Sequence, residues 1–238
     1  MTSTTTKSAF WQGVRDGAPF LLVIAPFGTL FGVVATEAGL AVFETLAFSV
    51  VVIAGAAQFT ALQLMREETP TLIVLVSALA VNLRMAMYSA SLTPYLGAAP
   101  VWTRAVIAYF LVDQTYACAA ARFEREPAMP VSARIAYFFG VVAPVCPLWY
   151  GFTLVGAYLG DRIPQTWALD FAVPITFLAL IAQMLRSAAH VTAALVAIVT
   201  AIVANGLPFN LGLIVAGLAG MIAGAQVEVS MQRKADPT

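Results

Sequence analysis

Apolar sequence in this chain comes in long runs, one after another, and such runs have no place in a water-soluble domain. A helix needs roughly 20 apolar residues to cross the hydrocarbon core of a bilayer. Stretches of that length lie at Ala18–Thr36, Phe43–Met65, Thr71–Leu92, Val101–Ala121, Ala133–Gly160, Trp167–Leu185, Ala189–Ala204 and Leu207–Gly224. Only 10% of the 238 residues are charged, against about 25% in soluble domains. Runs this long, without the two-residue alternation of a barrel strand, call for helices. The expected fold is therefore all-α, a polytopic membrane bundle of about eight spans. It would be seven if the last two, joined at Asn205-Gly206, form one re-entrant hairpin. A single transmembrane domain is expected: a flexible tail over residues 1–15, helices over 16–226 and a second tail over 227–238.

Charge placement orients these spans. With a cytoplasmic N-terminus, Lys7, Arg15, Arg66, Arg122, Arg125, Arg134, Arg186, Arg233 and Lys234 fall inside. Only Arg104 and Arg162 fall outside, and Arg84 lies mid-span. Cytoplasmic loops carry an excess of Lys and Arg, so both termini are expected in the cytoplasm. The zero net charge offers no basic face for nucleic acid. Cys118 and Cys146 sit in apolar runs and read as small buried hydrophobes. Ala25-Pro26-Phe27 with Phe31-Gly32, and Ala143-Pro144-Val145 with Tyr150-Gly151, suggest a repeat of two parallel four-helix halves.

Polar residues inside the apolar runs are the informative ones, because each is costly there. Arg84 needs a partner, and Asp113 in the next span is expected at similar depth. Gln58, in Ala54-Gly55-Ala56-Ala57-Gln58-Phe59, is either a hydrogen-bonding link between helices or a substrate ligand. Pro26 and Gly28 in the first span, and Pro144 and Pro147 in the fifth, mark expected breaks. Proline removes a backbone donor and frees a carbonyl, and broken transporter helices present such groups to zwitterionic substrates. Catalytic and phosphate-binding motifs are missing, so neither an enzyme nor an ATP-driven pump is expected, and no cofactor is called for.

Pro26-Phe27-Gly28 with Phe31-Gly32, the Ala54–Phe59 element, Asn82-Leu83-Arg84 with Tyr88, and Phe110-Leu111-Val112-Asp113 together resemble the AzlC family over residues 10–225. That family comprises large subunits of bacterial branched-chain amino acid exporters. The resemblance implies secondary-active export of leucine, isoleucine, valine and sometimes methionine from the inner membrane. It also implies a small AzlD-type partner subunit of about four spans. Asn82, Arg84, Asp113 and Gln114 fall on the family's polar midplane elements. Two positions depart from the pattern: Met85 stands where histidine is common, and Gln114 where glutamate is common. Where those groups relay protons, this chain would couple differently or carry a different substrate. The other reading from sequence is a non-transporting scaffold or assembly subunit.

Overall fold

The computed structural model describes residues 5–160, 185, 187–207 and 211–235, with side chains to Met231. The sixth expected span, Trp167–Leu185, lies outside the described residues apart from Leu185. Helices run α1 (Thr6–Gly17), a 3₁₀ turn at Ala18–Phe20, α2 (Leu21–Glu37), α3 (Val42–Val52), α4 (Gly55–Arg66), α5 (Thr71–Leu96), α6 (Val101–Tyr109), α7 (Asp113–Arg125), α8 (Val131–Gly160), α9 (Ala188–Val203) and α10 (Leu211–Ala235). No strand occurs among the described residues. Five helical stretches are long and apolar enough to cross a membrane: Thr6–Glu37, Thr71–Leu96, Val131–Gly160, Ala188–Gly206 and Leu211–Met231. The chain is a polytopic helical membrane protein.

It divides into two compact units, residues 1–63 with 81–167, and residues 64–80 with 168–238. In the second, α9 and α10 pair antiparallel through small residues. A Cβ on Gly220 would meet the Ala193 carbonyl at 2.7 Å, and one on Gly224 the Ala193 methyl at 2.9 Å. Each is long enough to cross by itself, unlike the arms of a re-entrant hairpin.

The first unit is built on α1–α2 lying against α8. Gly13 faces Tyr137 and Gly140, Gly32 faces Thr153 and Gly156, and Gly160 faces Val33 and Thr36. Both numbers rise together, so the two long helices run parallel, as a parallel repeat of the first and fifth spans requires. A methyl at Gly13, Gly32, Gly140 or Gly156 would collide with a backbone carbonyl of the facing helix. In lipid, where no hydrophobic force pulls helices together, such close backbone approach supplies the packing. The N-terminal segment expected as a loose tail is helical from Thr6. Thr5 caps it through Ser8 N–H, and Ala9, Gly13 and Gly17 are buried on its inner face. At the other end, α10 runs to Ala235, into the segment expected as the second tail.

Pro26 does not break the first span. α2 continues through it to Glu37, and α8 continues through Pro144 and Pro147. Pro26 is exposed. The real breaks are at Ile53-Ala54 and Phe110–Val112, inside the second and fourth expected spans.

At both breaks the chain reverses. Were α3 and α4 collinear, Ser49 and Gln58 would stand roughly 13 Å apart along the axis. Instead Gln58 Nε2 donates to Ser49 Oγ at 3.1 Å. The Phe48 and Phe59 rings, from opposite arms, both touch Phe31, at 5.8 and 5.4 Å. Along α5 and α7, Arg84 meets Asp113, Tyr88 meets Tyr116 and Tyr95 meets Phe123. Those two helices are therefore parallel, and the nine-residue α6 between them must run back the other way. Phe43–Met65 and Val101–Ala121 are thus not spans but re-entrant hairpins.

The result is a helix-plus-hairpin unit used twice in opposite senses. α2 is followed by the hairpin α3–α4, which enters from the end where α2 finishes. α5, antiparallel to α2, is followed by the hairpin α6–α7, which enters from the other end. This is an inverted relation, of the kind many transporters show, and it differs from the parallel halves expected from the proline motifs. Arg104 moves with its hairpin: it joins Lys7, Arg15, Arg122, Arg125 and Arg134 toward the end where α1 and α8 begin. In the first unit's described residues, Arg84 alone of the Lys and Arg side chains lies away from that basic end.

Candidate functional site

The hairpin tips meet. Tyr109, the last residue of α6, donates its hydroxyl to the Val50 carbonyl in the final turn of α3, and lies 3.1 Å from the Tyr150 hydroxyl of α8. That carbonyl is among those a helix end leaves without an intrahelical partner. At the first tip Ile53 adopts a left-handed conformation with φ of 40°, uncommon for a β-branched residue and costing about 1–3 kcal/mol. Its N–H still reaches Ser49 O at 3.0 Å, and Gln58 N–H reaches Ala54 O at 2.9 Å. Gly55 follows because nothing larger fits. A Cβ there would meet Phe27 at 2.8 Å and Trp149 at 3.1 Å.

At the second tip the freed backbone is satisfied by one side chain. Thr115 Oγ1 accepts the Val112 N–H at 2.9 Å, and its hydroxyl lies 2.9 Å from the Phe110 and Val112 carbonyls. Irregular backbone at membrane depth is tolerated where the protein itself supplies such partners. Both inner arms, α4 and α7, begin at their tips. Each helix start carries an effective charge of about +0.5, so two positive helix ends converge from opposite sides. The carbonyl-bearing ends of α3 and α6 lie beside them.

Asp113 is the first residue of α7. Its Oδ2 lies 3.0 Å from Arg84 Nη1, and its Oδ1 accepts the Tyr88 hydroxyl at 2.9 Å. Tyr88 stacks on Tyr116 at 4.1 Å, and Tyr116 reaches Ser91 at 3.1 Å. The Arg84–Asp113 pair expected from sequence is present, although parallel helices deliver it, not antiparallel ones. Its side chains are 23% and 43% exposed, so it faces open space on one side. Arg84 Nε and Asn82 Oδ1 are buried without a protein partner. The side chain of Gln114, next to Asp113, makes no hydrogen bond among the described residues.

Gln58 is fully buried against Ser49, whose hydroxyl lies 3.1 Å from Thr153 Oγ1 of α8. Its Oε1 has no partner, nor has the Trp149 indole N–H. Gly28 contributes by absence: a Cβ there would sit 3.2 Å from Phe152 and 3.3 Å from the Trp149 carbonyl. It seats Trp149 and is not part of a broken helix. Pro26 is exposed, in an unbroken stretch of α2.

Two cavities lie on the basic side of the tips. One, about 380 Å³, is a half-open hollow between α5 and α6, lined from Ser89 and Leu92 to Ile107 and Leu111. The other, about 220 Å³, lies between α1, α7 and α8. Around the second, Tyr137 donates to Asp16 at 2.7 Å, and Arg122 donates to Gln12 at 2.6 Å and pairs with Glu126 at 3.0 Å. Arg134, buried, donates to the Tyr95 and Pro127 carbonyls and lies over the Tyr95 and Phe123 rings. It ties the base of the second hairpin to α5. Nothing in the sequence marks Arg134, Tyr109 or Thr115, because the direction reversals they stabilise are invisible there. Cys118 lines the smaller cavity and is only half-buried, unlike Cys146 and unlike the expectation for both.

Residues 19–163 match the family described as AzlC protein, more than half the chain. The chain belongs to the AzlC family. It is similar to the inner membrane protein YgaZ of Escherichia coli (strain K12), 27% identical over 92% of this chain and 89% of the relative. An uncharacterized membrane protein of Archaeoglobus fulgidus is 26% identical over 92% of this chain and 96% of its own length. No solved structure matches. The match spans both hairpins and their tips, so this AzlC-family chain is a transport-related membrane protein with its irregular backbone inside the matched region.

Proposed function

We propose that the chain is the large subunit of a secondary-active exporter of branched-chain or similar apolar amino acids: leucine, isoleucine, valine and methionine. The observation that carries this is the meeting of two opposed hairpins at a tip that also bears an arginine–aspartate pair. A zwitterion needs a cationic partner for its carboxylate and an anionic or carbonyl partner for its ammonium. Arg84 and the starts of α4 and α7 offer the first. Asp113 and the ends of α3 and α6 offer the second. Phe27, Phe31, Phe59 and Trp149 around the first tip supply apolar wall for the substrate's side chain. Gln58, with a free Oε1, stands beside them.

The basic end is cytoplasmic on this reading, by the excess of Lys and Arg there. A small AzlD-type partner subunit belongs to the same proposal. Counterflow into proteoliposomes with a panel of labelled amino acids tests it, with the chain alone and with the partner. Leucine, isoleucine, valine and methionine should exchange and lysine should not. No exchange of any apolar amino acid in either preparation would overturn the reading.

A further inference from the structure

We propose that the cavity between α1, α7 and α8 is a second site for a zwitterionic amino acid, a cytoplasmic vestibule loaded before the midplane site. The inference rests on the exporter reading for the ligand's identity.

The cavity holds about 220 Å³ and is lined by Asp16, Phe20, Ala117, Cys118, Ala121, Arg122, Arg125 and Tyr137. Its polar groups are of both signs, and they are not equivalent. Arg122 is engaged by Glu126 and Gln12. Asp16 and Arg125 carry no ion-pair partner among the described residues. Asp16 is held in place by the Tyr137 hydroxyl on Oδ2, which leaves Oδ1 open. Arg125 is anchored by Nε on the Ala121 carbonyl at 3.1 Å, which leaves its terminal nitrogens open. An exposed carboxylate and an exposed guanidinium lining one small, open cavity are the complement of an α-ammonium and an α-carboxylate. Phe20, Ala117, Ala121 and the Tyr137 ring line the rest, suited to an aliphatic side chain.

Position fits the role. Ala117 is one helical turn from Asp113, about 6 Å along the axis at 1.5 Å per residue. The cavity wall therefore reaches to within a turn of the Arg84–Asp113 pair.

Cys118 gives the test its readout. It lines this cavity, while Cys146, the only other cysteine, is 1% exposed. In a Cys146→Ala background, alkylation of Cys118 by a maleimide should be slowed by leucine. It should not be slowed by 4-methylpentanoate or isopentylamine, which lack one charge each. Asp16→Asn and Arg125→Gln keep the shape and remove one charge. Each should raise the leucine concentration giving half-protection about tenfold, the loss expected for one charge-assisted hydrogen bond. Arg84→Met with Asp113→Leu, which leaves no lone charge, should leave protection intact and abolish counterflow. Equal protection by leucine in Asp16→Asn and Arg125→Gln would overturn the vestibule. So would counterflow by a chain whose Cys118 leucine never protects, and the exporter reading would survive that result. Protection without counterflow would leave the vestibule and remove the exporter reading.

Discussion

Replacing Gln58 by leucine separates the two roles a buried glutamine can have. The mutation removes the 3.1 Å hydrogen bond to Ser49, worth about 1 kcal/mol net. No orphan is left behind, because Ser49 keeps Thr153 at 3.1 Å. The mutation also removes an Oε1 that is buried without a partner, a burden of about 1–3 kcal/mol. Leucine fills nearly the same space. The sum runs from neutral to about 2 kcal/mol more stable. Since about 1 kcal/mol moves the melting point of a chain this size by roughly 2–4 °C, Gln58→Leu should melt at or slightly above the wild-type temperature. Gln58→Ala empties a fully buried site and should cost about 2–4 kcal/mol, as large-to-small core changes do. Tryptophan fluorescence on heating in detergent reads both, and counterflow is measured on the same preparations. The expectation is a stable Gln58→Leu protein that does not transport. A Gln58→Leu protein that melts well below wild type would mean the glutamine is a structural lock. One that is stable and transports normally would remove Gln58 from the substrate path.

Three further outcomes are expected. Arg84→Ala and Asp113→Asn should each express poorly, since each leaves the partner uncompensated at a depth where a charge costs about 2.5–3.5 kcal/mol. Arg84→Met with Asp113→Leu should recover folding, seen as a monodisperse size-exclusion peak, and should not transport; restored transport would make the pair purely structural. Cysteines placed at Ala98 and Ala128 should label from the same side as the N-terminus, and one at Gly39 from the other. Labelling of Ala98 with Gly39 would return α6–α7 to a crossing span. Gly32→Val should abolish assembly, because even a methyl there strikes the Thr153 carbonyl, whereas Gly151→Ala, with open space around it, should be silent in the same expression assay.

The helices themselves were legible, because apolar runs of membrane length have one economical use in a bilayer. The ion pair was legible for a related reason: a charge amid such runs must be compensated, and few candidates exist. The reversals were not. Phe110-Leu111-Val112 carries no glycine or proline, and at Ile53-Ala54 the one local cue, Gly55, reads equally well as a small residue inside a packed membrane helix. Both reversals are held by contacts distant in sequence, Tyr109 to Val50 and Ser49 to Thr153, by Gln58 on Ser49 across the first tip, and at the second tip by Thr115. The prolines misdirected the search for breaks. A membrane helix passes through proline when its surroundings accommodate the freed carbonyl, and α2 and α8 do so. Hydropathy counts a hairpin of two arms as one span of the same length, so the inverted order of the first unit could not be told from a through-going one.

Each hairpin leaves the molecule by the side it entered, and neither is threaded through the other. Mechanically, each is a stopper seated from its own side, and its seat is the opposing stopper. The midplane is therefore closed from either end only while both tips are in place, and the Tyr109–Val50 hydrogen bond is the direct link between them.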